Sequence, residues 1–219
     1  MNVKKLLLFY FRTTIREFIF PFIVIFFLYW SFINSKDLET FLKSQSIFEF
    51  YSLFTMVIVG YAILVSLSFA GFLKRKVSKF YQLYFILPEK PSRFLIVEML
   101  PIFTITILLT VVFGIILYYK APSPSPFWLI LPIMGSMLFI LGFGMIFLAL
   151  TLQISNIRAV NMVLFLLLFV LAKIPKYIIN ENLPLELVTN VLLAISILFA
   201  LIGYILLERI NPERVILSS

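Results

Sequence analysis

Glu17, Glu89, Glu98, Glu208 and Glu213 are the carboxylates that stand along one edge of the apolar stretches of this chain. Clustered there, carboxylates would suit general acid–base work or a metal at a membrane edge. Their spacing, however, matches no ligand set or acid–base pair of known chemistry. The chain has no Cys, so thiol nucleophiles, thiolate metal sites and disulfides are excluded. It has no His, which removes the commonest general base and the commonest metal ligand. Ser–His proteolysis, zinc proteolysis of the H-E-x-x-H type and His-ligated haem go with it. Asp37 is the only Asp, which excludes a paired-aspartate protease. No G-x-x-x-x-G-K-[ST] phosphate cradle is present, so ATP is not bound by that route. The chain is not expected to be an enzyme by itself. Neither a metal nor a cofactor is expected within it.

What remains is recognition chemistry, concentrated in 74–94, KRKVSKFYQLYFILPEKPSRF. Val77, Phe80, Tyr84 and Leu87 recur at helical spacing on one side, with Arg75, Ser78, Lys79 and Gln82 opposite. The pattern predicts a short amphipathic helix stopped by Pro88, with Pro91 preventing its resumption. A basic, apolar-faced helix of this kind suits either a membrane surface or a groove in a partner.

The elements that position this loop are spans. Of 219 residues, 63% are hydrophobic and 13% charged, with a mean hydropathy of +1.12. Soluble domains carry about twice that share of charge, so the chain is a polytopic, all-α integral membrane protein. About 20 apolar residues cross a bilayer. Six segments qualify, at about 18–34, 51–73, 95–118, 127–150, 159–179 and 187–207, and together they form one domain over 18–208. The tail is 209–219. Lys4, Lys5, Arg12, Arg16, the basic residues of 74–93, Arg158, Arg209 and Arg214 fall on one side. Lys36, Lys43, Lys120, Lys173 and Lys176 fall on the other. The positive-inside rule then places both termini in the cytoplasm of a cell (plasma) membrane. The formal +8 is explained by anionic lipid and calls for no nucleic acid.

Residues 1–17 have too short an apolar run for a signal peptide. They read as an interfacial helix with Leu7, Tyr10, Phe11 and Thr14 on one face. Glu98 and Glu208 are placed at inner span ends, within reach of water. The stretches 18–33, 52–73, 99–119, 127–157, 159–172 and 187–207 carry no charged residue, which argues against proton- or sodium-coupled carriage. Gly60 and Gly71, and Gly135, Ser136, Gly142 and Gly144, read as close-packing positions. Pro101 and Pro132 read as residues near span starts, where a missing N–H costs little. Trp30 and Trp128 read as outer interfacial anchors.

The order of these parts resembles the membrane subunit of ABC transporters of the type-2 exporter permease class. The shared layout is an amphipathic N-terminal helix, six spans, a cytoplasmic helix between spans two and three, and a short outer segment at 174–186. The most specific local match is Leu83-Tyr-Phe-Ile-Leu-Pro-Glu-Lys-Pro-Ser-Arg-Phe-Leu-Ile96, an apolar run, then Pro, then a small-polar and basic step. Ile154-Ser-Asn-Ile-Arg158 is similar to the family's polar turn before span five. The resemblance implies a dimer with a second permease copy or paralogue, with a substrate path at the interface. It also implies separate ATPase subunits that bind ATP and Mg. It makes 76–87 the coupling helix, with Lys76, Val77, Lys79, Phe80, Leu83, Tyr84, Leu87, Pro88 and Arg93 as the docking residues. The chain departs from the family where an acidic residue and a Gly commonly stand and Ser78 and Lys79 occur here. Glu98 stands where the family often has Lys. The residues alone also fit a scaffold or accessory subunit of a membrane complex, or a lipid-acting membrane protein.

Overall fold

Ser44 starts the first long helix by accepting the Ile47 N–H on its side-chain oxygen. The computed structural model describes residues 3–17, 44–82, 91–120, 125–154 and 183–210, with isolated positions at 23, 26, 162, 163, 166, 171, 174, 175, 177, 178, 181 and 215. Among the described residues there are five α-helices and no strand. They are α1 (Val3–Glu17), α2 (Gln45–Val77), α3 (Pro91–Lys120), α4 (Ile130–Gln153) and α5 (Leu185–Glu208). A single 3-10 turn, Pro126–Leu129, leads into α4.

Four helical segments are long and apolar enough to cross a membrane: Gln45–Ser68, Pro91–Lys120, Pro126–Gln153 and Leu185–Glu208. They overlie the second, third, fourth and sixth expected spans, each displaced by a few residues. Most of the expected spans 18–34 and 159–179, and Trp30, lie outside the described residues. α2 occupies the centre: its span is 89% buried, against 17% for α5. Both helices are apolar on every side, so the difference comes from position in the bundle: α2 packs against both α3 and α4. Phe48, Met56, Val59, Ile63 and Leu67 of α2 meet Met99, Ile102 and Phe113 of α3 and Phe147 and Leu148 of α4 in one core. α5 leaves Leu187, Leu198, Leu201 and Ile205 exposed, as a lipid-facing helix does.

Contacts at the glycines fix the relative directions. Gly60 lies against Thr110, and Gly114 against Met56, so α2 and α3 are antiparallel. Gly135 lies against Leu53 and Gly144 against Leu64, so α2 and α4 are parallel. Gly135 also meets Leu193, Gly142 meets Ala200, and Gly203 meets Met145, so α4 and α5 are parallel too. Small residues bring helices together where lipid provides no hydrophobic drive, and the expected close-packing role of Gly135, Gly142 and Gly144 is realised here. Ser136 is buried and closes on the Ile133 carbonyl.

One placement differs from expectation. α3 begins at Pro91, so Pro101 sits inside the helix rather than near its start. Its missing N–H leaves the Val97 carbonyl without the usual helical partner, which a span tolerates when neighbours surround it. Pro132 does fall in the first turn of α4. Trp128 is half-buried in the 3-10 turn, against Phe48 at 5.8 Å. α1 carries Tyr10 and Thr14 buried and Leu7 and Phe11 half-buried, the face its spacing predicts, but Leu8, Phe9 and Ile15 are exposed.

Candidate functional site

The chemistry-bearing side chains gather where α2 ends. A helix of 33 residues spans roughly 50 Å, against about 30 Å of hydrocarbon. The last turn of α2, with Lys74, Arg75 and Lys76, therefore emerges at the basic end of the molecule. The helix does not restart there as a separate amphipathic helix from residue 76. Lys76 and Val77 belong to α2, and 78–81 form a turn.

That turn has a definite geometry. Lys79 has φ 57°, the one non-glycine residue with positive φ among those described. The Phe80 N–H returns to the Arg75 carbonyl at 3.0 Å, and the Lys79 N–H to the Lys76 carbonyl at 2.9 Å. This pair of bonds around a left-handed residue is the Schellman termination of a helix, a position that glycine ordinarily fills. It re-aims the chain within one residue and satisfies two carbonyls that the helix end would otherwise leave open.

Two cationic side chains of the last turn point inward and do different work. Lys76 is buried, and its ammonium donates to the carbonyls of Thr151 at 2.8 Å, Leu152 at 3.3 Å and Ile154. A cation against the last carbonyls of α4 is favoured by their orphaned lone pairs and by the helix dipole. Burial nevertheless pulls its pKa down to about 8. Arg75 pairs with Glu98 of α3, Nε to Oε1 at 2.7 Å. Its guanidinium also lies over the rings of Tyr10 and Phe72, 5.5 and 5.7 Å from their centroids. The Tyr81 hydroxyl donates to the same Glu98 oxygen at 2.6 Å. Tyr81 is itself buried, and burial beside the Glu98 carboxylate raises its pKa well above the ordinary tyrosine value. α2, the turn and α3 are thus joined through one carboxylate, and α1 is attached to them through Tyr10 against Arg75.

This overturns the expectation that Glu98 reaches water. It is 1% exposed. α3 starts earlier than its apolar run suggested, so Glu98 lies two turns inside the helix, where Arg75 and Tyr81 help to make a buried carboxylate tenable. The spacing did not reveal Tyr81 and Arg75 as its partners. The available signal was a lone acid beginning one span opposite the basic end of the preceding one.

The nine expected docking residues separate. Lys79 is exposed and Phe80 half-buried on the turn, with exposed Lys74 beside them. Arg93 is exposed in the first turn of α3. Lys76 faces the interior. The Val77 side chain and residues Leu83, Tyr84, Leu87 and Pro88 lie outside the described part. Of the polar turn 154–158, Ile154 is described, and its carbonyl is one of the three that hold Lys76. Deeper in the bundle an apolar cavity of about 250 Å³ is bordered by Phe54, Val57, Tyr61, Phe143, Leu192 and Phe199. In comparisons with known proteins, no family model, curated protein or solved structure matches the chain.

Proposed function

We propose that this chain is the membrane-spanning permease subunit of an ATP-driven exporter of the type-2 ABC class. In this reading it works as a dimer with separate ATPase subunits, which supply ATP and Mg and dock on the loop 74–94. The observation that carries the reading is the left-handed backbone at Lys79. It falls where the resembling family commonly places a Gly, the residue that a left-handed backbone favours. The surroundings suit a coupling element. A push on the turn reaches α2 without bending the joint, because Arg75 ties it to Glu98 and Lys76 ties it to the end of α4. α2 would then tilt as a lever within the bundle. An apolar or amphipathic cargo is in keeping with the cavity beside Phe54 and Tyr61.

Six crossings, with both termini on the basic, cytoplasmic side, belong to the same proposal. α4 ends at the basic end, and α5, running parallel to it, starts at the opposite end. In the proposed layout the chain returns across the bundle between Ile154 and Leu183, which suits these directions. Ile178 packs against Phe50 and Phe54 while Leu171 borders the cavity beside Val57 and Tyr61, a progression in the required direction. Tyr10 lies by Arg75 at the basic end and α2 starts at the other, and the proposed layout has one more crossing before Ser44.

The test is affinity purification of the tagged chain from its own host, with identification of co-eluting proteins and an ATP hydrolysis assay. A stoichiometric ATPase whose binding weakens in Lys74→Glu/Lys79→Glu is expected. Lys76 is left intact, because reversing it would disturb the bundle rather than the docking surface. A preparation with no nucleotide-binding partner would exclude the permease reading and favour a scaffold subunit.

A further inference from the structure

Five aromatic rings from three helices converge on the apolar cavity inside the bundle. Phe139 and Phe143 of α4 stand one turn apart, their centroids separated by 5.7 Å and their planes inclined by only 1°. Tyr61 of α2 packs on Phe143 at 4.8 Å, and Phe199 of α5 on Phe139 at 5.7 Å. These four rings form an unbroken series across α2, α4 and α5. Phe54 of α2 is the fifth, and Val57 and Ile195 complete the walls of a space of about 250 Å³.

The chemistry of the walls narrows what this space can hold. Among the described residues no charged side chain borders it. Ser196, on the α5 wall, is buried, and its hydroxyl donates to the Leu192 carbonyl at 2.8 Å. A polar guest would lose its hydration there with little in exchange. Size sets a second bound. An apolar cavity of about 150 Å³ lined by Leu, Ile and Phe takes up benzene, so a space of about 250 Å³ has room for a further fused ring. Depth sets a third. Residues 54–61, 139–143 and 192–199 lie roughly 10–24 Å into their helices, near the middle of about 30 Å of hydrocarbon. Ile195 is 40% exposed and Phe199 half-buried, whereas Phe54, Val57 and Tyr61 are buried. The floor thus belongs to α2, and the way in passes α5 from the bilayer rather than from water.

We propose that this cavity binds an apolar molecule carrying a flat aromatic system of about two fused rings, taken up laterally from the bilayer core. The guest lies against Phe139 and Phe143 in the offset or edge-to-face contacts that aromatic rings prefer. A saturated molecule of equal volume fills the space but lacks those contacts. An acyl chain lacks them too, and it loses rotational freedom on entering. As the site of a transported cargo the cavity rests on the permease reading; as a binding site it stands without any ATPase.

The experiment is photolabelling of the full chain in lipid nanodiscs, without nucleotide, by a naphthalene that bears a small diazirine, followed by mass-spectrometric mapping. Adducts are expected within 54–61 and 139–143. Naphthalene is expected to displace the probe at about tenfold lower concentration than decalin, the scale of one or two aromatic contacts. Hexadecane, standing for a lipid chain, is expected to displace it more weakly still. Val57→Phe fills part of the space and is expected to abolish those adducts. Phe199→Leu removes one ring from a half-buried position; it is expected to keep the adducts and reduce the preference over decalin to about threefold. Adducts confined to the exposed face of α5, or equal displacement by naphthalene and decalin, would overturn the site. So would unchanged labelling in Val57→Phe or an unchanged preference in Phe199→Leu. Displacement by hexadecane at the naphthalene concentration would overturn it in favour of a lipid chain. These outcomes are separate from the partner purification, because an absent ATPase would leave the expected labelling as it is.

Discussion

Lys76 and Lys79 are three positions apart in one basic run, and their environments have opposite consequences. The Lys76 ammonium holds three carbonyls at the end of α4. Lys76→Met keeps the length of the stem but leaves those acceptors open, at an expected cost of about 2–3 kcal/mol. The pH dependence follows from a folded pKa of about 8 against 10.5 for an ordinary lysine. Between these values the unfolded chain binds the extra proton, so stability rises with pH through that window. Below about pH 8 both states carry the proton and the cost of burying it is fully present. Thermal unfolding in detergent is therefore expected to show wild type gaining on Lys76→Met between pH 8 and 10.5. A narrowing gap would mean that the carbonyls favour the ammonium more than burial disfavours it. Lys79 makes a different prediction, because its strain is in the backbone. Lys79→Gly is expected to raise stability by about 0.5–1 kcal/mol in the same assay, since a left-handed residue costs about that much with a Cβ and little without. Lys79→Ala would keep the strain and show no such gain.

At the scale of elements, α4 and α5 make the tightest joint. A Cβ on Gly142 would lie 2.3 Å from the Ala200 backbone nitrogen and 2.5 Å from the Phe199 carbonyl carbon. Backbone cannot swing aside as a side chain does, so Gly142→Ala has to part the two helices. A loss of about 2–3 kcal/mol is expected, read as a lower unfolding temperature. Gly114→Ala is the contrast, because its Cβ would meet the flexible end of Met56 and the loss should be smaller. Gly142, and the apolar runs of α2 to α5, were legible in the sequence because packing in lipid leaves few other reasons for them, whereas Gly114 was not singled out. The end of α2 was less legible. Periodicity at 77, 80, 84 and 87 continues through residue 79 as if the helix did, and nothing in a lysine announces a left-handed backbone. Glu98 was misplaced for a related reason: hydropathy marks where a run becomes apolar, while Pro91 sets where the helix starts, about one turn earlier. Its partners Arg75 and Tyr81 come from a different helix and a turn, so only the fold could bring them to it.

At the scale of the whole molecule, direction matters more than the number of apolar helices. α2, α4 and α5 all run the same way and α3 runs against them. A chain that simply alternated through four spans would set α5 antiparallel to α4. The two arrangements differ in where the start of α5 lies, and the chain offers a clean way to ask, because it has no native Cys to remove. Single cysteines at Phe127 and Leu183, both exposed, mark the starts of α4 and α5. Cysteines at Lys79 and Arg209, also exposed, mark the opposite end. With a membrane-impermeant maleimide, Phe127→Cys and Leu183→Cys are expected to label in intact cells. Lys79→Cys and Arg209→Cys are expected to label only after the membrane is opened if the basic end faces inward, as the positive-inside rule predicts. Labelling of Leu183→Cys together with Lys79→Cys would remove the crossing between α4 and α5, and with it the six-span layout. Inversion of all four sites would keep the layout and reverse its orientation, placing the turn at Lys79 beyond the reach of any ATPase in the cytoplasm.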